Sequence, residues 1–343
     1  AGAGTVLTAT DTTFAFDGLF SGAGVLTKAG AGVLEVTGDS KGFTGGIRVS
    51  QGVVALQGSL GGGVGVAGGA RLEGVGQMTG LSNAGVVAPG RDGVFGALTV
   101  TGDYEGLGGM LEIEAALGDD ASATDRLSIG GSTTGSTQVV VRNVGGLGAQ
   151  TSGGIKIIDV AGASGGTFSL KGDYLFQGEQ AVIGGAYGYR LYQGGVATPS
   201  DGDWYLRSSL LNPADPIEPE GPLYQPGVPI YAAYGANLQA INGLPTFQQR
   251  VGGRTWAEGA GPASGGGWSR IEGVRTRGNA AVSTSQAEQE LDSWKLQMGF
   301  DKVVAEAVWD GRLIAGVTAH YGEANSRVRS LFGNGVLETN GYG

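Results

Sequence analysis

Cysteine is missing from all 343 residues, and histidine occurs once, at His320. Without cysteine there are no disulfides, no thiolate nucleophile and no cysteine-ligated zinc. The same absence suits a chain exported through an oxidising compartment, where stray thiols cross-link. One histidine excludes histidine-based metal clusters and leaves a serine triad a single base. Charge is scarce too: Asp, Glu, Lys and Arg make up 15% of the chain and balance at −10, so no basic face exists for nucleic acid. No apolar run reaches the roughly 18 residues of a spanning helix. Ala1-Gly2-Ala3-Gly4-Thr5 has neither the basic nor the apolar region of a secretory signal. Asn340-Gly341-Tyr342-Gly343 falls inside a strand-like pattern, so both ends read as cuts in something larger.

Glycine is what the chain has instead: 71 residues, about three times the usual share, without the strict period of collagen. Within 1–110, Gly32-Val33-Leu34-Glu35-Val36-Thr37-Gly38 returns twenty positions later as Gly52-Val53-Val54-Ala55-Leu56-Gln57-Gly58. Weaker echoes run over Gly69–Gly74 and Gly96–Gly102. Each unit is too short to bury its own apolar face, and stacking such units buries a continuous stripe. The leading reading is an all-β fold beginning with a right-handed parallel β-helix whose corners are glycine; a β-sandwich with glycine-rich hairpins is the alternative. Gly22-Ala23-Gly24, Gly30-Ala31-Gly32 and Gly61-Gly62-Gly63 lack the Lys-Ser/Thr ending of a phosphate loop and read as rung corners.

Over 111–211 the repeat fades while Ser136–Val144 and Gly154–Val160 turn dense in β-branched residues. Phe168, Tyr174, Phe176, Tyr187, Tyr189, Tyr192, Trp204 and Tyr205 then add bulk, as expected where an open stack is capped. Four prolines from Asn212 to Pro222 predict an extended spacer without helix or ladder over 212–229. A short helix follows in 230–255, with Ile230, Tyr234, Leu238 and Ile241 on one apolar face, Pro229 at its start and Gly243 with Pro245 at its end.

In 256–343 the period becomes two. Trp294, Leu296, Met298 and Phe300 share one face, with Lys295, Gln297, Gly299 and Asp301 opposite. Leu313, Ala315, Val317, Ala319 and Tyr321 form a second apolar side opposite Gly316, Thr318 and His320. The pattern fits a sheet packed on a core or a membrane barrel with lipid outside and water inside.

Three blocks then carry a likeness. Asp125–Gly131, Gly135–Asn143, Gly145–Thr151, Gly154–Val160 and Trp204–Ser208 resemble the pertactin-like autochaperone segment. Tyr224–Tyr231 resembles the linker into a translocator helix, and Gly267–Gly273, Gln297–Asp301 and Gly341–Gly343 the opening strands of an outer-membrane barrel. In this order they resemble the C-terminal half of a monomeric autotransporter of the type V secretion family. The resemblance implies a secreted β-helix passenger joined by a helix to a twelve-stranded barrel, of which only about four strands are present here, a truncated barrel.

It also implies a role: the barrel anchors in the outer membrane, the passenger emerges at the cell surface, and 111–211 templates its folding. Val139, Val141, Ile155, Ile157 and Trp204 are the expected template positions, so that a charge at Val140 or Ile157 stalls display. Trp294, Leu296, Met298, Phe300, Leu313, Val317 and Tyr321 are the expected lipid-facing positions. The implied partners are outer-membrane lipid, the barrel-assembly machinery, periplasmic chaperones and a ligand on a host or neighbouring cell. An adhesin with its recognition region upstream of Ala1, or a passenger enzyme with its catalytic domain there, is the competing class. Within the chain itself no enzyme and no cofactor is expected. His320 reads as a polar lumen residue. Asp119, Asp120 and Asp125 form the densest acidic cluster, but the calcium nonapeptide is missing and a solvated turn is the reading. Some members of the family cut themselves at a cyclising asparagine; Asn237 and Asn242 are the candidates, with Glu258 or Glu272 as acidic helpers, although the Asn-Asn pair is absent.

Overall fold

The computed structural model describes residues 5–9, 12–91, 93–212, 215–246, 249, 265–278, 283–308 and 311–343. The chain divides into two compact units, Ala1–Tyr224 and Gln225–Gly343.

In the first unit, short strands stack in parallel as three ladders. One runs through Val25–Ala29, Gly46–Val49, Val64–Val66 and Leu81–Asn83 into Tyr104–Ala115 and Thr133–Asn143. The second contains Val33–Val36, Gly52–Leu56, Ala70–Gly74 and Val86–Pro89 before joining the same two long strands. The third contains Asp39–Ser40, Ser59–Leu60, Gln77–Met78, Ala97–Val100, Arg126–Ile129 and Ile155–Val160. This is a parallel β-helix. The twenty-residue repeat is its ladder register, since Val33 pairs Val53 and Leu34 pairs Val54. The Gly69–Gly74 echo continues that column. The Gly96–Gly102 echo does not: Ala97–Val100 lies in the third ladder, between Gln77–Met78 and Arg126–Ile129.

One interior stripe shows why the stack holds. Leu34, Val54, Leu72, Val87, Leu111 and Val139 pair in succession and all are buried to 1% exposure or less. Each such side chain contributes about 1.5–3 kcal/mol of transfer free energy that no single rung could capture alone. Corners are tight enough to demand glycine: Gly52 has φ +69°, and a Cβ there would lie 2.4 Å from the Gly30 carbonyl oxygen. Lys28, fully buried at a corner, donates to the carbonyls of Ala29 (3.2 Å), Gly30 (2.7 Å) and Gln51 (3.1 Å), tying two rungs together.

The stack ends by reversing strand direction. Ile155–Val160 pairs antiparallel with Trp204–Arg207, which continues through Tyr187–Gln193 and Glu179–Gly184 to Tyr174–Phe176. The proline-rich spacer is also more ordered than its composition predicts. Ser209–Asn212 and Asp215–Pro222 form an antiparallel hairpin, with two register shifts that accommodate the prolines on an edge strand.

The second unit is a helix, α1 (Val228–Asn242), on an antiparallel meander of Gly265–Gly278, Glu288–Val308, Gly311–Arg329 and Asn334–Tyr342. Pro229 occupies the first turn and Gly243 closes the helix, as the sequence predicts. Of the predicted face only Ile241 is buried and Ile230 half-buried. Pro229, Ala233, Asn237 and Ile241 are buried, whereas Tyr234 and Leu238 are exposed. Small Ala233 lets the helix approach the strands, and Asn237 finds polar partners there; greasier side chains on the neighbouring stripe would hold it off.

Candidate functional site: the capped solenoid and the helix-bearing strands

At the closed end of the solenoid an aromatic chain fills the interior. Tyr104 stacks on Phe168 (5.7 Å) and Phe168 meets the edge of Trp204 (5.3 Å). The Tyr104 hydroxyl lies 2.7 Å from Thr137 Oγ1 and accepts from Asn83 Nδ2 at 3.2 Å. Val139, Ile155, Ile157 and Trp204, four of the expected template positions, are buried in the same core, and Val141 packs against it half-buried. Val140 is different. It is half-buried on the outer surface of its strand, so a charge there leaves the interior intact.

Polar groups fasten the cap to the last rungs. Asp203, 5% exposed, accepts from the Val160 amide at 2.8 Å and pairs with Lys156 Nζ at 2.5 Å. Against the desolvation that lowers it, hydrogen bonds to Asp203 and Asp159 raise the Lys156 pKa. The Tyr189 hydroxyl lies 2.8 Å from the Gly118 carbonyl oxygen and 2.9 Å from that of Ala149. Arg207 donates from Nε to the Gly153 carbonyl at 3.0 Å and stacks on Tyr192 and Tyr205.

The acidic cluster separates into three roles. Asp120 accepts the amides of Ser152, Gly153 and Gly154 at 2.8–3.0 Å, and Asp119 accepts that of Ala121 at 3.0 Å. Asp125 is not solvated. It is 1% exposed, accepts the amides of Gly96 and Glu114 at 3.0 Å each, and burial pushes its carboxyl up to about 6. Among the described residues no cluster of acids or His is arranged to hold a metal.

On the meander, Trp294, Leu296, Met298, Phe300, Leu313, Val317 and Tyr321 are all exposed. Their alternates Lys295, Gln297 and Asp301 are buried to 6%, 1% and 2% exposure on the face that carries α1. Apolar side chains outside and polar ones inside is the arrangement of a membrane barrel wall, the reverse of a soluble sheet. No described helix is long and apolar enough to cross a membrane, which says nothing of a barrel.

Comparison with known proteins agrees with both halves. The family described as Autochaperone Domain Type 1 matches residues 77–191. The adhesin BmaC autotransporter of Brucella suis is 51% identical over 99% of this chain. The chain belongs to the autotransporters. The autotransporter adhesin AIDA-I of Escherichia coli is 28% identical over 72% of the chain, and the E. coli K12 protein YdeU 33% over 68%. The chain spans 10% of the Brucella adhesin, 18% of AIDA-I and 50% of YdeU. The autochaperone match covers the rungs from Gln77 onward together with part of the antiparallel cap.

In this autotransporter segment the two candidate asparagines have different surroundings. Asn237 is fully buried, donates to the Ala324 carbonyl (3.2 Å) and Thr339 Oγ1 (3.1 Å), and accepts from Gln289 Nε2 (3.2 Å) and Ser326 Oγ. Asn242 Oδ1 lies 3.4 Å from His320 Nε2. Neither meets a carboxylate among the described residues: Glu272 pairs with Arg270 and lies 3.9 Å from Lys295 Nζ, and Glu258 is outside the described residues. Lys295 donates to the Gly243 carbonyl at 2.8 Å, placing a positive charge at the negative end of the helix dipole. Alternation marked only the face on which Lys295 lies; the partners given above for Asp203, Gln289, Ser326 and Lys295 stand 37 to 89 residues away and leave no local signal.

Proposed function

We propose that this segment displays its own passenger: the helix-bearing strands form part of an outer-membrane barrel wall, and the capped end of the solenoid nucleates passenger folding outside the cell. The observation that carries this reading is the asymmetry of the stack. Its C-terminal end is closed by antiparallel strands and an aromatic chain, so rungs can add only from that end toward the N-terminus. Each docked rung buries apolar surface worth about 25 cal/mol per Å², which biases the emerging chain outward without an external energy source. Trp294, Leu296, Met298, Phe300, Leu313, Val317 and Tyr321 would face lipid, with insertion by the barrel-assembly machinery after escort by periplasmic chaperones. No step requires catalysis within this chain, and the adhesin names of BmaC and AIDA-I support a surface ligand as the passenger's partner.

Changing Ile157 to Asp in the full protein tests the template. Ile157 is fully buried, so the expected result is loss of protease-resistant passenger at the cell surface with the barrel still in the membrane fraction. Normal surface display of a protease-resistant passenger would refute the template.

A further inference from the structure

The twenty-residue repeat leaves stacking order ambiguous from the inside. Each unit offers the interior one leucine and one valine, Leu34 with Val36 and Val54 with Leu56, all buried to 1% exposure or less. A slip of one rung would seat Val33–Val36 against Ala70–Gly74 in place of Gly52–Leu56 with the same interior volume, a swap that cores tolerate well. The outward positions differ. Glu35 in the first unit is Ala55 in the second.

Those outward positions lie along a strap. Glu35, Ala55, Glu73 and Ala88 pair in succession across four strands. Ala55 and Ala88 are 0% and 6% exposed although they alternate with the interior Val54, Leu56 and Val87. Past Ala88 the chain turns back on itself, Arg91 and Val94 exchanging both backbone hydrogen bonds (3.2 and 2.9 Å). Asp125 accepts the Gly96 amide (3.0 Å), Glu114 Oε2 accepts that of Gly93 (2.8 Å), and the Arg126 amide donates to the Gly96 carbonyl (2.9 Å), so the turn is anchored. From it Arg91 reaches back along the column and donates from Nη1 to Glu35 Oε1 at 2.6 Å. Ala88 and Glu35 stand three strand spacings apart, about 14 Å, so this bond is made across the level of Ala55. Glu73, between them, pairs sideways with Arg71 at 2.9 Å.

The strap and its anchors Glu114, Asp125 and Arg126 fall within the autochaperone match, 77–191, whereas Glu35 and Ala55 lie outside it. We infer that the strap selects stacking order: it admits the incoming rungs only when alanine lies beneath it and Glu35 stands one strand farther on, where Arg91 binds it. The inference rests on the template reading above, because the strap must be in place before Val33–Val36 docks. In a slipped stack Glu35 takes the site of Ala55, its carboxylate beneath the strap and directly opposite Glu73. Ala15, which pairs Glu35, then stands at the level that Arg91 reaches. A buried carboxylate opposite a like charge is costly, whereas the native order gives that carboxylate a charge-assisted hydrogen bond.

The absence of cysteine makes the register readable by paired cysteines in the full protein, displayed on cells and then oxidised. Val33 pairs Val53 in the native stack and would face Arg71, the partner of Val53, in a slipped one. Val33→Cys/Val53→Cys therefore reports the first and Val33→Cys/Arg71→Cys the second. With Glu35→Ala/Ala55→Glu added, the native cross-link is expected to be lost and the slipped one to appear. Arg91→Gln is expected to lower the ratio of native to slipped product about fivefold, and the charge reversal Arg91→Glu/Glu35→Arg to restore it. An unchanged ratio in Arg91→Gln, or a charge reversal that slips as much as Arg91→Gln, overturns the selection even where Ala55→Glu prevents folding. A native cross-link persisting in Glu35→Ala/Ala55→Glu overturns it as well. A protease-resistant passenger in Ile157→Asp fails the template reading instead, whatever the cross-links report.

Discussion

Replacing Trp204 by Ala probes how the cap holds the passenger stack. Trp204 is 8% exposed, makes an edge contact with Phe168 at 5.3 Å, and sits in a strand paired to Ile155–Val160. An aromatic side chain buries about 150–250 Å², so at about 25 cal/mol per Å² its removal forfeits at most about 4–6 kcal/mol. Core Trp-to-Ala changes cost about 3–5 kcal/mol. In a solenoid, stability is a sum over neighbouring rungs, so the loss falls first on the cap and the rung beneath it. A cost of about 4 kcal/mol raises local opening about a thousandfold. Hydrogen exchange on the full protein reads this directly. Amides of Ile155–Val160 are expected to lose about three decades of protection, Arg126–Ile129 less, and Val33–Val36 least. Unchanged protection at Ile155–Val160, or an equal loss at Val33–Val36, refutes the end-capping argument.

Two further expectations follow from buried polar groups. Burial raises the Asp125 carboxyl from 3.8 to about 6, so the folded state binds this proton more tightly than the unfolded one. Its contribution to stability is therefore full below about pH 4 and lost as the pH rises through 6, by up to about 3 kcal/mol. Asp125→Asn should flatten the pH 4–7 slope of the denaturation midpoint relative to wild type, and an unaltered slope would exclude Asp125 as its source. Asn237→Leu removes the acceptor of Ser326 Oγ and one acceptor of Gln289, which keeps its bonds to Ser326 and the Ala233 carbonyl, at about 1–3 kcal/mol. Amide exchange across Ala233–Ile241 should quicken, with exchange in Glu288–Val308 nearly unchanged; a helix as protected as before would show the polar contacts to be dispensable.

Periodicity was the legible part of this protein. The twenty-residue recurrence of Val33–Val36 in Val53–Leu56 is the ladder register itself, because a rung that cannot bury its own face must repeat its apolar positions. Two-residue alternation likewise identified Trp294, Leu296, Met298 and Phe300 as one exposed face. Less could be read where identical local patterns face different neighbours. Val139 and Val140 are both β-branched within one strand, but only Val139 points inward. The helix has two plausible stripes, and the greasier one, with Tyr234 and Leu238, is exposed.

The class of structure was therefore legible in the order of residues: stacked glycine-bracketed rungs, a bulky aromatic end and an alternating sheet. Those follow from spacing, and spacing is local. Which segments meet emerges from packing in three dimensions. Asp203 reaches Val160 across 43 residues and Asn237 reaches Ser326 across 89. Such contacts form between side chains whose separation along the chain carries no periodic trace, so burial and pairing alone reveal them.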